Sequence, residues 1–434
     1  MTRLPEKFVE NMKKQLPETE WESFFSVYAH PPVKGVRLNA LKGGRVALNG
    51  LLTDVLGAPV AWEEDGFYTE KDKLGANPFH FAGLFYSQEP SAMSAAPKLE
   101  VKAGEKVLDL CSAPGGKGTQ LACKMQGEGV IVLNEPVLSR AKILSGNVER
   151  MGIKNAVVAS ETPERLAEKF VGYFDKILVD APCSGEGMFR KNADEALSEW
   201  SEENVALCAA RQKRILREAV KMLKAGGRLV YSTCTFAPQE DEAQAAWLTE
   251  EFPEMRLLEQ EKLYPHKIKG EGHFVAVFEK SGEAETQSRL RPAKPTCSKA
   301  AEKAFREFEK NFFVVTLPRL LHETDGVLYD LPQGVFDWSG LHVLRVGVKL
   351  GELKNGRFEP SHALVLASKK SELKNAVDLS REDARLEKYL RGETLETANP
   401  NGWCGVCVEG FPLGLGKMVG GTLKNHLPKG IRKN

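Results

Sequence analysis

An α/β fold built around a parallel sheet follows from three features of the chain. From about residue 97, short apolar runs alternate with amphipathic helical stretches. The small-residue turn in KVLDLCSAPGGKGTQLA joins the first of these runs to a helix. Two later runs each end in a cysteine, Cys183 in FDKILVDAPCSGEG and Cys234 in GRLVYSTCTF. Alternation of this kind predicts right-handed βαβ units and a parallel sheet covered on both faces. Such a sheet brings the C-terminal ends of its strands to one edge, where ligands bind. Two thiols at that edge, beside the acid Asp180, read as a reaction centre.

Bulk properties set limits on this reading. At 434 residues the chain is long enough for two to four domains. Sixty Lys plus Arg nearly cancel 59 Asp plus Glu, so any nucleic-acid surface must be local. The eight cysteines are scattered, with no signal peptide and no long apolar span. Free thiols and a cytoplasmic location, with no membrane partner, are therefore expected.

Five domains or segments are expected. Residues 1–95 read as an α+β accessory domain, with helices in PEKFVENMKKQL and ETEWESFFSVY and a strand in KGVRLNAL. Residues 96–281 hold the α/β unit. KVLDLC, GVIVLNE, AVVAS, KILVDAPC and RLVYSTC are its strands, and GHFVAVFEK is expected as the closing edge strand. KGTQLACKM, LSRAKILSGNVERM and EENVALCAARQKRILREAVKML are helices between them. Residues 282–300 are polar, contain two prolines and read as an exposed linker. Residues 301–378 form an α+β unit with the helix KAAEKAFREFEKNF and strands VVTLPRLL, GVLYDLP and LHVLRVGVKLG. Residues 379–434 begin with a helix in LSREDARLEKYL and end in a glycine-rich β module. No acid follows Glu409, whereas Lys417, Lys424, Lys429, Arg432 and Lys433 do.

The turn after the first strand has the chemistry of a cofactor site. Gly115 and Gly116 permit close approach of backbone to ligand, and the helix beyond offers free amides. The second strand ends in Asn134-Glu135, placing an acid where ribose hydroxyls are held in dinucleotide folds. A Walker loop is excluded, because Gly116-Lys117 is followed by Gly118 and its first glycine position holds Cys111. The Gly-x-Gly-x-x-Gly fingerprint is also missing. An adenosyl ligand without a diphosphate fits better.

Three segments, LDLCSAPGGKGTQ, VDAPCSGEGMFRK and YSTCTFAPQEDE, resemble the cofactor loop, Pro-Cys motif and Thr-Cys motif of the Nol/Nop/Sun family of RNA cytosine-5 methyltransferases. The resemblance covers roughly residues 85–280. RVGVKLGELKNGRFEPSHAL and LGLGKMVGGTLKNHLPKGIR look like the bacterial ribosomal-RNA branch. It implies a Rossmann-like class I methyltransferase sheet, with the N-terminal α+β domain and a C-terminal PUA-like β-rich RNA-binding module. The implied cofactor is S-adenosyl-L-methionine, held by Cys111, Ser112, Ala113, Pro114, Gly115, Gly116, Lys117, Glu135, Arg140 and Asp180. An adenine-side contact would fall in ASETPERL, on Ser160 or Glu161. The implied partner is RNA, with 16S rRNA or the small ribosomal subunit as substrate and a monomer as the acting form.

Cytosine C5 is a poor nucleophile, and thiolate addition at C6 makes it enamine-like. The resemblance gives this attack to Cys234 and a part in releasing the product to Cys183. Asp180 would protonate or hold N3 if burial and the thiolate raise its pKa. Lys117 either orients Asp180, pairs with a cofactor carboxylate, or is a solvated first-turn lysine. Arg190, Lys191 and Arg140 read equally as phosphate contacts or as surface charge. Asn425, His426, Arg37 and Asn39 are further RNA candidates. Cys404 and Cys407, after Trp403, imitate a thioredoxin motif without the helix it requires, so a structural pair is expected. No metal set is expected, since no His or Cys completes one around Cys183 and Cys234. The alternatives are a tRNA cytosine-5 methyltransferase, a non-catalytic ribosome-assembly factor, and a DNA cytosine methyltransferase acting through Cys183.

Overall fold

The computed structural model of the protein describes residues 4–282 and 290–433. An eight-stranded sheet forms its centre. Its strands are β1 (Lys106–Asp109), β2 (Val130–Asn134), β3 (Ala156–Ala159), β4 (Phe174–Asp180), β5 (Leu223–Thr233), β6 (Met255–Leu263), β7 (His273–Lys280) and β8 (Val343–Val346). Across the sheet they lie in the order β8-β3-β2-β1-β4-β5-β7-β6. The five strands from β3 to β5 are parallel. The strands beyond them at either edge pair antiparallel, so the expected parallel sheet is the centre of a mixed one.

Helices α1 (Gly116–Lys124), α2 (Leu138–Arg150) and α3 (Glu202–Met222) cover the faces. Successive strand residues point to opposite sides. Val107, Ile131 and Leu133 therefore pack with Leu121 of α1 and Leu144 of α2. Leu108, Val132 and Ile177 pack with Leu216 and Ala219 of α3 on the other face. Burial on both faces explains why these strands read as unbroken apolar runs. Ser201 caps α3 by accepting from the Asn204 amide, which sets where that long helix begins.

The closing strand is Met255–Leu263, not His273–Lys280. β7 is apolar and buried through Phe278, whereas β6 carries Glu259, Gln260, Glu261 and other solvent-facing side chains. A charged strand belongs at an edge, where its unpaired side is kept from pairing with another chain.

The run LHVLRVGVKLG is also not one strand. It breaks at Gly347, whose φ of 59° lies in the left-handed region. The first half is β8, which pairs with β3; the second, β9 (Val348–Lys354), joins a four-stranded sheet with 321–324, 327–330 and 357–360. The expected strand VVTLPRLL is irregular up to residue 320, where Pro318 cannot supply a ladder hydrogen bond. Helix α4 (Lys299–Phe312) has the expected bounds. The helix expected from residue 379 starts only at Ala384, capped by Asp383. Of the expected linker, residues 283–289 lie outside the described residues.

The N-terminal residues form helices Glu6–Gln15 and Glu18–Ser26 and a three-stranded antiparallel sheet. The C-terminal residues form a five-stranded sheet that includes β10 (Gly402–Val408), β11 (Phe411–Val419) and β12 (Thr422–Asn425). These two ends of the chain share one core. Val36, Leu38 and Phe79 pack in the same cluster as Val377, Tyr389, Val406 and Leu423. Among the described residues, no helix is long and apolar enough to cross a membrane.

A Cβ on Gly347 would stand 2.2 Å from the Asp330 carbonyl, in a backbone conformation that costs a side chain free energy. Gly347→Ala is expected to destabilise the protein by about 1–3 kcal/mol. Thermal denaturation would show this as a lowered Tm.

Candidate active site

β4 and β5 pair in parallel with Asp180 beside Ser232. Each chain then leaves the sheet edge within three residues of its cysteine. Cys183 Sγ and Cys234 Sγ come to 3.3 Å, close enough to share a proton and too far for a bond. Both line a cavity of about 550 Å³ together with Cys111, Ala113, Glu135, Arg140 and Asp180. That volume is within the range of small-molecule sites, about 300–1,000 Å³.

Buried carboxylates hold the two cysteine loops together. Glu186 Oε2 accepts from the Phe236 amide (2.9 Å) and its Oε1 from Trp200 Nε1 (3.0 Å). Glu240 Oε2 accepts from the Ser184 amide (3.0 Å) and from Gln212 Nε2 (2.8 Å). The Ser184 and Thr235 hydroxyls meet at 2.8 Å, and the Gly187 amide donates to the Cys234 carbonyl at 2.8 Å. Each loop is therefore pinned by the other. Burial raises the Glu240 carboxyl to about 7 and the Asp241 carboxyl well above its usual range. Thr233 donates to Asp241 and Lys262 pairs with it, which offsets part of that desolvation.

Asp180 is bound on both oxygens. Lys117 Nζ lies 2.8 Å from Oδ2, and Ser232 Oγ donates to Oδ1 at 2.8 Å. Burial pushes its carboxyl up, but Lys117, His273 and these hydrogen bonds outweigh burial and hold it below the ordinary carboxylate range. The raised pKa expected from the sequence is thus corrected. The opposing partner, Lys117, was legible as a motif residue but its distance to Asp180 was not. Cys183 behaves oppositely: its hydrogen bond with Cys234, then burial, raise its thiol well above the usual value. Cys183 is held as the S–H partner of the pair.

Sequence reasoning missed His273. It opens β7, and extending the Phe274–Thr233 register by one step sets it opposite Cys234. The ring is buried, its Nε2 is 3.7 Å from Asp180 Oδ1, and neither ring nitrogen has a hydrogen-bond partner among the described residues. Burial, then Lys117, hold it neutral, with a pKa lowered to about 3. No motif marks this position; only the pairing of β7 with β5 brings it here.

At the other end of the cavity, Glu135 closes β2. Its Oε1 accepts from the Val137 amide at 3.0 Å and its Oε2 lies 3.4 Å from Arg140 Nη1. Arg140 also donates to the Ala113 carbonyl at 3.1 Å, tying α2 to the turn. A buried carboxylate facing a cavity and retaining free lone pairs suits a vicinal diol. Ser112, Pro114, Gly115, Gly116 and Lys117 do not line the cavity; they shape the turn behind it. Ser112 Oγ donates to Asp109 Oδ2 at 2.7 Å, while Gly116 faces Tyr86 and Gln88. The tightest approach is at Gly118, where a Cβ would meet Ser112 Oγ at 2.4 Å and Asp109 Oδ2 at 2.8 Å. Past β3 the wall is Thr162, Pro163 and Glu164. Glu161 instead accepts from the His342 amide at 2.6 Å, and Ser160 Oγ donates to the Pro136 carbonyl.

Several RNA candidates are structural ties instead. Arg190, half-buried, forks onto the buried Glu271 at 2.7 and 2.9 Å. Truncating either partner would strand a buried charge, at a cost of about 3–5 kcal/mol. Arg37 is buried and donates to Gln88, Gly116 and Thr119; Asn39 donates to the Gly83 and Met151 carbonyls. Asn425 Nδ2 donates to the Tyr389 and Glu393 carbonyls, and Lys433 pairs with Glu387. Lys191 stays exposed. Cys404 and Cys407 are buried within β10, and burial raises their thiols to about 11 and about 12.

Four family models match successive stretches of the chain. They are the N-terminal domain of 16S rRNA methyltransferase RsmF (4–90), 16S rRNA methyltransferase RsmB/F (96–279), the RsmF rRNA methyltransferase first C-terminal domain (307–367) and the methyltransferase RsmF PUA domain (374–433). Ribosomal RNA small subunit methyltransferase F of Escherichia coli O81 (strain ED1a) is 33% identical over 469 residues, covering 98% of this chain and 96% of that protein. The protein of the same name from Shigella dysenteriae serotype 1 (strain Sd197) is 32% identical over 98% of this chain and 96% of its own. Among solved structures, a methyltransferase homolog from Pyrococcus horikoshii aligns at a TM-score of 0.57 with 28% identity, over 64% of this chain and 95% of that one. NSun6 from Pyrococcus horikoshii, solved with SFG, shares the fold at a TM-score of 0.57 and 20% identity, over 65% of this chain and 100% of that one.

Two outcomes test the electrostatics. With Cys183 held as a thiol, iodoacetamide at neutral pH should alkylate Cys234 at least about tenfold faster than Cys183, read by mass spectrometry. In Lys117→Met, burial is no longer opposed by the ammonium, so the Asp180 carboxyl should titrate at higher pH. Carboxyl ¹³C NMR of the two proteins would show the shift; an unchanged or lower value would contradict it.

Proposed function

The chain belongs to the RsmB/F family of 16S rRNA methyltransferases, and from that premise we propose that it methylates C5 of a cytosine in 16S rRNA through a covalent bond from Cys234 to C6. It is an S-adenosylmethionine-dependent methyltransferase with a Rossmann-like sheet and an RNA substrate. The observation that carries the finer reading is the pair of thiols 3.3 Å apart, beside Asp180, in one cavity with Glu135.

Glu135 would hold the ribose hydroxyls of S-adenosylmethionine, and Cys111, Ala113, Arg140 and Thr162–Glu164 would enclose it. When bound it supplies an electrophilic methyl group on a sulfonium. On the protein side, Cys234 Sγ adds to C6, and the displaced ring electrons move toward N3. Asp180 passes N3 a proton relayed from Lys117 Nζ as that charge builds. Before attack Cys183, which keeps its proton, lies within hydrogen-bond reach of Cys234 Sγ.

Once Cys234 is a thioether it no longer accepts that proton. The strongest influence raising the Cys183 thiol is then gone, so Cys183 can release its proton to solvent and then, as thiolate, take the C5 proton. The electrons of the C5–H bond restore the C5–C6 double bond and expel Cys234 as thiolate; the N3 proton returns to the Asp180–Lys117 pair. A base in a duplex is out of reach, so the target must be unpaired or flipped. The acting form is a monomer in the cytoplasm, where the small subunit is made.

With S-adenosylmethionine and small-subunit rRNA, Cys234→Ala is expected to lose at least about 10³-fold in turnover and to form no covalent adduct. Cys183→Ala should accumulate an RNA adduct that survives SDS electrophoresis. Methylation of cytosine by Cys234→Ala would show that the nucleophile lies elsewhere.

A further inference from the structure

A second cavity, of about 510 Å³, lies far along the chain from the reaction edge, between α4, the turn at 356–358 and the start of β10. Its walls combine flat apolar groups with polar ones. Phe308 and Phe312 of α4 stack at 4.9 Å on one side, and Trp403 of β10 stands on the other. Glu307 and Asn375 also line it, and neither side chain has a hydrogen-bond partner among the described residues. An acceptor pair and an amide beside aromatic surfaces suit a planar ring with polar edges.

The surface that continues from this cavity is cationic. Trp403 pairs in register with Lys417, and Lys417 with Lys424, so the three side chains form a row across β10, β11 and β12. Directly opposed residues share a face of the sheet. Lys417 Nζ lies 5.2 Å from the Trp403 ring centroid, and His426 meets the same ring at 4.7 Å. Neither Lys417 nor Lys424 has an acidic partner among the described residues, and Arg357 at the rim of the cavity has none either. Strands are about 4.8 Å apart, so the row from Trp403 to Lys424 spans roughly 10 Å.

From this juxtaposition we infer that the cavity takes one unpaired nucleobase of the RNA substrate, stacked on Trp403, with the adjoining phosphates over Lys417 and Lys424. Single-stranded RNA is gripped in this way, by stacking on aromatic rings and by cations along the backbone. The site would be a docking point separate from the methylated base, built jointly by α4 and the C-terminal sheet. The inference rests on the reading of the substrate as RNA.

The test uses the full chain and in-vitro transcribed small-subunit rRNA. Trp403→Ala should weaken RNA binding about tenfold and raise the KM for RNA, not that for S-adenosylmethionine, while Trp403→Phe recovers most of the loss. The double variant Lys417→Gln, Lys424→Gln should reduce the slope of log K against log salt by about 1.4. Irradiation of 4-thiouridine-substituted transcript with the wild type should crosslink peptides from 304–312 or 401–426, a readout independent of how the variants fold. Crosslinks confined to other peptides, or wild-type RNA affinity in Trp403→Ala, would overturn the site while leaving the enzyme's function intact. A wild type that neither binds nor methylates this RNA would overturn the substrate reading, and the docking site with it.

Discussion

Parallel pairing of β4 with β5 is the interaction on which the reaction edge depends. Its register sets Asp180 against Ser232, and both thiols follow within three residues of that pair. The hydroxyl of Ser232 binds Asp180 directly, and the two chains leave the sheet side by side, carrying Cys183 and Cys234 to 3.3 Å. A shift of one residue would turn Ser232 to the other face and separate the thiols. The register is defended from behind by Glu186 and Glu240, each buried and each bonded to the opposite loop. Such buried acids are costly unless satisfied, so the loops have little freedom to part.

The same edge sorts its titratable groups by neighbour more than by depth. Asp109 is buried and raised to about 7, whereas Asp180 is half-buried and lowered. The difference is Lys117, which reaches Asp180 from the first turn of α1. Cys183 is raised chiefly by its bond to Cys234, a cause that ends when Cys234 bonds to something else. His273 adds a neutral buried ring 3.7 Å from Asp180, with no hydrogen-bond partner among the described residues.

Much of this was legible in the chain. The five parallel strands and α1 to α4 follow from the alternation of apolar runs with amphipathic helical stretches. Cys234, Cys183, Asp180, Glu135 and Arg140 all meet at one cavity, as the strand-end argument anticipates. What misled was charge and breakpoints. Arg37, Asn39 and Arg190 look like surface RNA contacts because a sequence cannot show that Gln88, Met151 or Glu271 awaits them in the interior. LHVLRVGVKLG reads as one strand because its apolar pattern runs through Gly347, although the two halves serve different sheets.

The central parallel strands, the helices between them and the side chains that stand at those strand ends were settled by the sequence alone. These depend on near neighbours, and period, caps and turn residues report them directly. Long-range pairing was decided only by the tertiary structure. It placed β6 outside β7, sent β8 to the far edge of the sheet, brought Lys117 to Asp180, and closed the N-terminal unit against the C-terminal module. The reason is physical: the state of Asp180 depends on the net of burial and one ammonium 63 residues away. No pattern along the chain encodes that sum; only distance in the folded protein does.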